Sequence, residues 1–356
     1  MRETARRAFI AAVVFVGVVA VALALWKLKL LIALLFFAFI IAAAMRPGVD
    51  ALRRRGVPRG FGILLHYFAL LGLVGLLLWA AVPRAITQIQ DTLGGNIPTT
   101  RKEIHREAEQ STGLKHTILK AIERRLQKLP SGSKLIKPAL KATRLTIEIL
   151  VGILFVLASA AYWIFERDRA VALVTRVLPR QRRKLVRDTW DLIDAKLGAY
   201  VRGQLLLILL VASVLTLIFG AIGLPLWLLI GPFAGLVEII PVVGPLAAGG
   251  VAVGFGFTES WQLALYAGIA VLAVRLAEDY IVIPRVLGNV VGLSPLLVLF
   301  AVAAAAILFG GFAVVVAVPL TAVIATLVEV IVFDLKPAEE DVPTVLFPAK
   351  DAETGS

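Results

Sequence analysis

Apolar residues run along this chain in stretches long enough to cross a bilayer, and polar residues collect between them. A helix needs about 20 apolar residues to span the hydrocarbon layer. Stretches at 9–26, 30–45, 61–82, 145–165 and 205–222 predict five crossing helices, and 261–283 predicts a sixth. Two further stretches are paired and broken. Residues 226–238 run into 241–257, and 295–309 run into 312–332, with Gly or Pro at each junction. Arms this short predict hairpins that enter and leave by the same face. Broken backbone at membrane depth persists only where protein buries it or where it lines a cavity. Paired, interrupted segments point to a transporter's solute site.

The expected fold is an all-α integral membrane protein with about six full transmembrane helices and two re-entrant helical hairpins. A small polar helical insertion follows the third span. The expected divisions are 1–82 (three spans), 83–144 (insertion), 145–202 (fourth span and a cytoplasmic amphipathic helix), 203–334 (transport unit with both hairpins) and 335–356 (disordered tail).

Charge orients these elements. The loop after the second span carries Arg53, Arg54, Arg55 and Arg59 against a lone Asp50, and the N-terminus carries Arg2, Arg6 and Arg7. The positive-inside rule assigns both to the cytoplasm, and counting spans returns the C-terminus there too; the expected location is the inner (plasma) membrane. Lys27 and Lys29 predict a tight turn between the first two spans. In the insertion, Leu114, Ile118, Ile122, Leu126 and Leu129 recur at helical spacing before a break at Pro130, Ser131 and Gly132. That stripe has no core of its own, so it is expected outside, against a neighbouring copy or the membrane surface. Residues 166–202 combine a basic cluster (Arg180, Arg182, Arg183, Lys184, Arg187) with an apolar stripe (Val186, Trp190, Ile193, Leu197, Val201), the pattern of an interfacial helix.

Composition closes off other classes. Hydrophobic residues make up 60% and mean hydropathy is +0.91, too apolar for a soluble protein of this length. The net charge of +13 would suggest nucleic acid in a soluble chain. Here the basic residues sit in the connections, where they set topology and meet anionic lipid, so membrane lipids are the expected partner and nucleic acid is not. Cys is absent, and His66, His105 and His116 have no ligand spacing, so neither a metal nor a cofactor is expected. No nucleophile elbow, phosphate loop or HExxH pattern points to an enzyme.

Ionisable groups inside apolar stretches are therefore the informative ones, since a charge at mid-bilayer costs about 2.5–3.5 kcal/mol or more. Glu238 closes the first arm of the first pair, on one helical face with Gly231 and Gly235, glycines that admit a close helix. It is either a cavity-facing carboxylate that binds a cation or polar solute, or a hairpin-end carboxylate in water. Arg275 precedes Glu278 and Asp279 at i+3 and i+4, within reach of both. That is either a self-neutralising structural group or part of a coupling site. Arg285, after Pro284, is placed to snorkel toward lipid phosphate. His66 is expected to pack, and Glu329 to lie at the interface. A weak repeat joins the two pairs: residues 223–226 (GLPL) open the first and 292–296 (GLSPL) the second.

Taken in order, several motifs carry a resemblance. They are 200–204 (YVRGQ), 238–245 (EIIPVVGP), 284–288 (PRVLG), 292–296 (GLSPL), 309–311 (FGG) and 317–320 (AVPL). With the order of spans and the insertion after the third, the chain resembles the autoinducer-2 exporter superfamily, the PerM-type permeases. Members are described as exporting a signalling furanone or as exchanging sodium or lithium for protons. The resemblance and the residues together put substrate or ion binding at Glu238, Pro241, Gly244, Pro245, Arg275, Glu278, Asp279, Gly310 and Gly311. Gly231, Gly235, Pro284, Arg285, Gly288, Pro295 and Pro319 are structural positions. Where a family member carries Asn or Gln before the Pro-Arg motif, this chain has Glu278 and Asp279. The expected protein is a homo-oligomeric secondary transporter that exports a small polar solute by alternating access. A sodium(lithium)/proton antiporter, with Na+ or H+ as coupling ion, is the alternative within transport. A non-transporting scaffold or lipid-binding protein is the alternative outside it.

Overall fold

The computed structural model describes residues 2–92, 120, 136–286, 294–340 and 342. Among them every regular element is helical. The helices are α1 (Arg2–Lys27), α2 (Lys29–Arg54), α3 (Arg59–Thr92), α4 (Ile136–Val177) and α5 (Arg180–Ala221). They continue as α6 (Trp227–Val237), α7 (Val243–Phe257), α8 (Trp261–Ala277), α9 (Ile283–Val286), α10 (Pro295–Phe309) and α11 (Gly311–Val332). Among the described residues, five segments are long and apolar enough to cross a membrane: Phe9–Lys27, Lys29–Arg54, Thr143–Val177, Arg180–Ala221 and Gly311–Val332. The stripe from Leu114 to Leu129 lies outside the described residues.

Local chemistry sets several boundaries. Ser260 accepts a hydrogen bond from the Leu263 amide at 3.2 Å and starts α8, and Ser294 accepts from the Leu297 amide at 3.3 Å and starts α10. Each satisfies one of the amides that a helix start leaves open. Pro295 occupies the first turn of α10, where its missing N–H costs nothing. The first pair opens differently, through Leu226 at φ 56°. Leu226 and Ser294, the residues that precede α6 and α10, therefore differ in backbone geometry.

The helices run further than the apolar stretches. The interfacial stripe and the fifth span are one unbroken helix of 42 residues, α5, because no proline separates them. Residues 136–177 likewise form a single 42-residue helix. At Leu28 the backbone stays close to helical (φ −88°, ψ 4°), and hydrogen bonds from Leu28 N to Ala24 O and from Ile32 N to Leu28 O carry the helical path through. The hydrogen-bonded path continues through Leu28, where a tight turn was expected. None of the apolar window of α1 is buried. The 261–283 stretch is interrupted after Ala277 by a π-helical turn, Glu278–Val282, in which the Ile283 amide donates to Glu278 O.

Two bodies meet along α5. Its outer half (Val211, Leu215, Phe219) packs with Ile230 and Ala234 of α6, Ala248 and Ala252 of α7, and Ala267 and Ala270 of α8. Ala199 and Tyr200, nearer its start, pack with Val302 of α10 and Val314, Ala317 and Val318 of α11. Leu197 meets Ile40 and Ala43 of α2 and Val316 of α11. A third core joins α2, α3 and α4 around Val49, Ile63 and Ala160. The first hairpin and α8 thus lie on one stretch of α5, and the second pair on another.

Candidate functional site

The first hairpin is fixed to α5 by glycine. A Cβ on Gly231 would collide with Thr216, and one on Gly235 with Ala212 and the Ile208 carbonyl. The close helix expected at these two residues is α5. At the hairpin tip, Gly244 lies so near the Val237 carbonyl that no side chain fits. Val242 holds φ 68° and ψ −49°, the centre of a strained γ-turn that a β-branched residue adopts at a cost of about 1–3 kcal/mol. Hydrogen bonds of 2.8 Å from Val243 N to Pro241 O and from Gly244 N to Ile240 O close the turn. From α5, the Gln204 side-chain amide donates to the Glu238 carbonyl at 3.0 Å.

This tip delivers Glu238 to α8. Its side chain is 7% exposed, and Arg275 Nη1 lies 3.0 Å from Glu238 Oε1. The same guanidinium reaches Glu278 Oε2 at 3.2 Å and Asp279 Oδ1 at 2.8 Å. Glu238 and the Arg275 group, separate candidates in the sequence, are therefore one cluster. Three carboxylates face one guanidinium, a formal excess of two negative charges. Glu278 Oε1 is buried without a hydrogen-bond partner. The π-helical turn begins at Glu278 and re-aims the residues that follow it. Pro245, Ala234, Val271, Glu238, Arg275 and Glu278 line a cavity of about 10 Å³, at the lower limit for one water molecule. The site is closed in this conformation: it holds charge, but it has no room for an organic solute.

Other candidates lie elsewhere. Gly310 (φ 89°) and Gly311 form the exposed tip of the second pair. Phe309 beside them has its ring centroid 6.1 Å from that of Trp26, and Phe312 sits 5.6 Å from Phe37. That tip therefore neighbours the end of α1 and the first half of α2 and not the Glu238 cluster. Pro284 and Arg285 are exposed on α9, Pro319 is buried inside α11, and Gly288 lies outside the described residues. His66 packs: its ring faces Gly48, and its Nδ1 lies 2.8 Å from the Gly62 carbonyl. Glu329 pairs with Lys196 at 3.5 Å. Among the described residues no group of three His, Cys, Asp or Glu is arranged to hold a metal ion.

Sequence reasoning missed a second charged cluster. Asp194 Oδ2 receives Arg167 Nε at 2.8 Å and Arg46 Nη1 at 3.0 Å, and Arg167 also binds Asp191. Arg46 and Arg59 both approach Asp168, at 3.8 and 3.9 Å. These pairs tie α2, α3, α4 and α5 together at the basic end. The available signal was Asp194 one turn after Trp190, an acid on the apolar stripe of α5.

Curated proteins similar to this chain carry transport names. YrrI of Bacillus subtilis (strain 168), named for transport, is 27% identical over 306 residues, covering 82% of this chain and 83% of its own length. MT0215 of Mycobacterium tuberculosis (strain CDC 1551 / Oshkosh) is 27% identical over 349 residues, 93% of this chain and 91% of its own. YueF of Bacillus subtilis (strain 168) is 29% identical over 322 residues, with 82% and 83% covered. Their names say transport, and none names a solute. The model of the AI-2E family transporter matches residues 10–333, and the chain belongs to that family.

Proposed function

We propose that the chain is an inner-membrane secondary transporter that exports a small polar solute, with Glu238 at the centre of its site. The observation that carries this reading is the cluster of Glu238, Arg275, Glu278 and Asp279 at the tip of a strained, glycine-packed hairpin. A self-neutralising structural group needs one carboxylate per guanidinium. Here there are three, and one oxygen of Glu278 is buried without a partner. Charge held this way at membrane depth is expensive, and it persists where it does work.

Transport requires the cavity to open. The glycine contacts make the first hairpin and the outer half of α5 one rigid piece, with α8 packed against it. The ion pairs of Arg46, Arg167 and Asp194 hold the other half of α5 to α2 and α4. Alternating access in an elevator-like sense therefore places the sliding seam beside Ile240, Val286, α10 and α11, where packing is apolar and free of ion pairs to the cluster. Cytoplasmic termini and a homo-oligomer complete the reading. The bare apolar length of α1 and the basic loop at Arg53–Arg55 favour them.

One observation favours a second reading, a sodium(lithium)/proton antiporter: the excess of carboxylate at a site with room for one water-sized species. The two readings separate in proteoliposomes. Purified protein is given candidate solutes under imposed proton or sodium gradients, beside Glu238→Gln. Solute flux that Glu238→Gln abolishes supports export. Cation-for-proton exchange without solute supports the second reading. Neither flux, from correctly folded protein across both gradients, returns the chain to the scaffold or lipid-binding class.

A further inference from the structure

The segment after α11 does not trail away from the helices. The backbone reverses at Asp334 (φ 52°), and the Leu335 amide donates to the Glu329 carbonyl at 3.0 Å. A short 3-10 turn, Pro337–Glu339, follows, with Pro337 buried and Lys336 paired with Glu339 at 2.9 Å. Glu340 then lies 3.7 Å from the ammonium of Lys196 on α5, and Val342 packs in the seam formed by α5, α10 and α11. The residues expected at the start of a disordered tail thus cross from α11 back to α5.

Lys196 is the fastening point. It is 8% exposed, yet its ammonium faces two carboxylates on different segments, Glu329 of α11 at 3.5 Å and Glu340 of the returning chain. A buried ammonium with one partner is stranded when that partner leaves, whereas one with two is not. Glu340 can therefore depart while Glu329 keeps Lys196 neutralised. The side chains of both acids are more than one-third exposed, so water can take up the released carboxylate at little cost. Apart from this pair, Pro337 and Val342 are the apolar anchors of the segment.

We propose that residues 333–340, with Val342, form a releasable strap that fastens the second helix pair to α5 through Lys196, Glu340 and Val342. Fastened, it ties α10 and α11 to the half of α5 that the Arg46 and Arg167 ion pairs already hold. Released, it leaves the α10–α11 seam held to α5 by the Lys196–Glu329 pair and apolar packing alone, and so freer to shift. This inference concerns the mobility of the pair and stands whatever solute is carried.

The natural chain has no cysteine, so introduced thiols are the sole labelling sites. Nitroxides placed at Ala338 and Arg187, both exposed, report the distance between strap and α5 in full-length protein in liposomes. The expected result is one narrow distance that gains a longer population in Glu340→Gln and in about 1 M salt, which screens an exposed pair. Hydrogen exchange of the 333–340 amides should speed up about tenfold in Glu340→Gln. A Glu329→Gln variant should keep the narrow distance, because Glu340 still holds Lys196. Val342→Asp tests the apolar anchor and should also release the strap. A distribution and exchange rates unchanged by Glu340→Gln, Val342→Asp and salt would overturn the proposal.

Discussion

Arg275 Nη1 stands 3.0 Å from Glu238 Oε1 and so joins the tip of one hairpin to the last turn of the neighbouring helix across 37 positions of sequence. The contact makes the hairpin's position and the cluster's charge a single variable. If the tip moves, the guanidinium either follows it or is left with Glu278 and Asp279 alone. Withdrawal of Glu238 and opening of the cavity are then the same event.

Glu238→Gln keeps the shape of the side chain and removes its charge. Arg275 retains two carboxylates, so folding and assembly in detergent should be unchanged. Transport in proteoliposomes should fall at least about tenfold, or its pH dependence should shift. Arg275→Gln should be worse for stability, because it leaves three carboxylates together without a cation. Measured melting in detergent should rank Arg275→Gln below Glu238→Gln. Full activity and unchanged pH dependence in Glu238→Gln would reduce that residue to a structural one.

Gly235 and Gly250 carry the same substitution to opposite outcomes. A Cβ at Gly235 meets Ala212 and the Ile208 carbonyl, whereas at Gly250 it meets open space. Gly235→Ala should destabilise by about 1–3 kcal/mol, the usual cost of overpacking, and should loosen the first hairpin from α5. Gly250→Ala should be neutral or slightly stabilising, because it replaces a poor helix former. Thermal unfolding in one detergent compares the two directly.

The charged cluster at the basic end makes a third prediction. Arg167 is 7% exposed and binds Asp194 and Asp191, so Arg167→Met strands much of that charge. The loss expected for breaking one side of a buried pair is about 3–5 kcal/mol, reduced here because Arg46 still reaches Asp194. Arg59→Met removes one contact of 3.9 Å to a mostly exposed Asp168 and should cost about 0–1 kcal/mol. Equal losses would mean that the cluster is not load-sharing in this way.

Much of this architecture was legible because its causes are local. Gly231 and Gly235 share a helical face, so a close partner was required, although only the fold identified it as α5. The i+3 and i+4 spacing of Glu278 and Asp279 already placed them on Arg275. That Glu238 joins them depends on how the first hairpin crosses α8, and no periodicity encodes a crossing. The helix ends misled for a related reason. A polar stretch such as 180–204 ends an apolar run without ending a helix, since nothing in it breaks the backbone. Asp194 stayed hidden because its partners, Arg46 and Arg167, come from other helices, and a carboxylate on an amphipathic stripe looks solvated until they arrive.

The depth of the two tips is the last expectation, and it separates the pairs. The first tip lies by Gln204 and Arg275, toward the basic ends of α5 and α8, so it should be reached from the cytoplasmic side. The second lies by Trp26 at the end of α1, next to the start of α2 and away from the Arg53–Arg55 loop, so it should be reached from the opposite side. Its arms are unequal: α10 has 15 residues, but α11 has 22 and a length of about 33 Å, enough for a full crossing. Gly310 sits in the left-handed region and would be strained by a cysteine, so Gly311 is the better position. Single thiols at Val243 and Gly311 in sealed vesicles should react with a membrane-impermeant reagent, Val243 from the inside and Gly311 from the outside. Buried arm positions such as Ala248 and Ala317 should stay protected from both. Labelling of Val243 from the outside alone would place the first tip at the wrong face and remove the cytoplasmic opening of the Glu238 site.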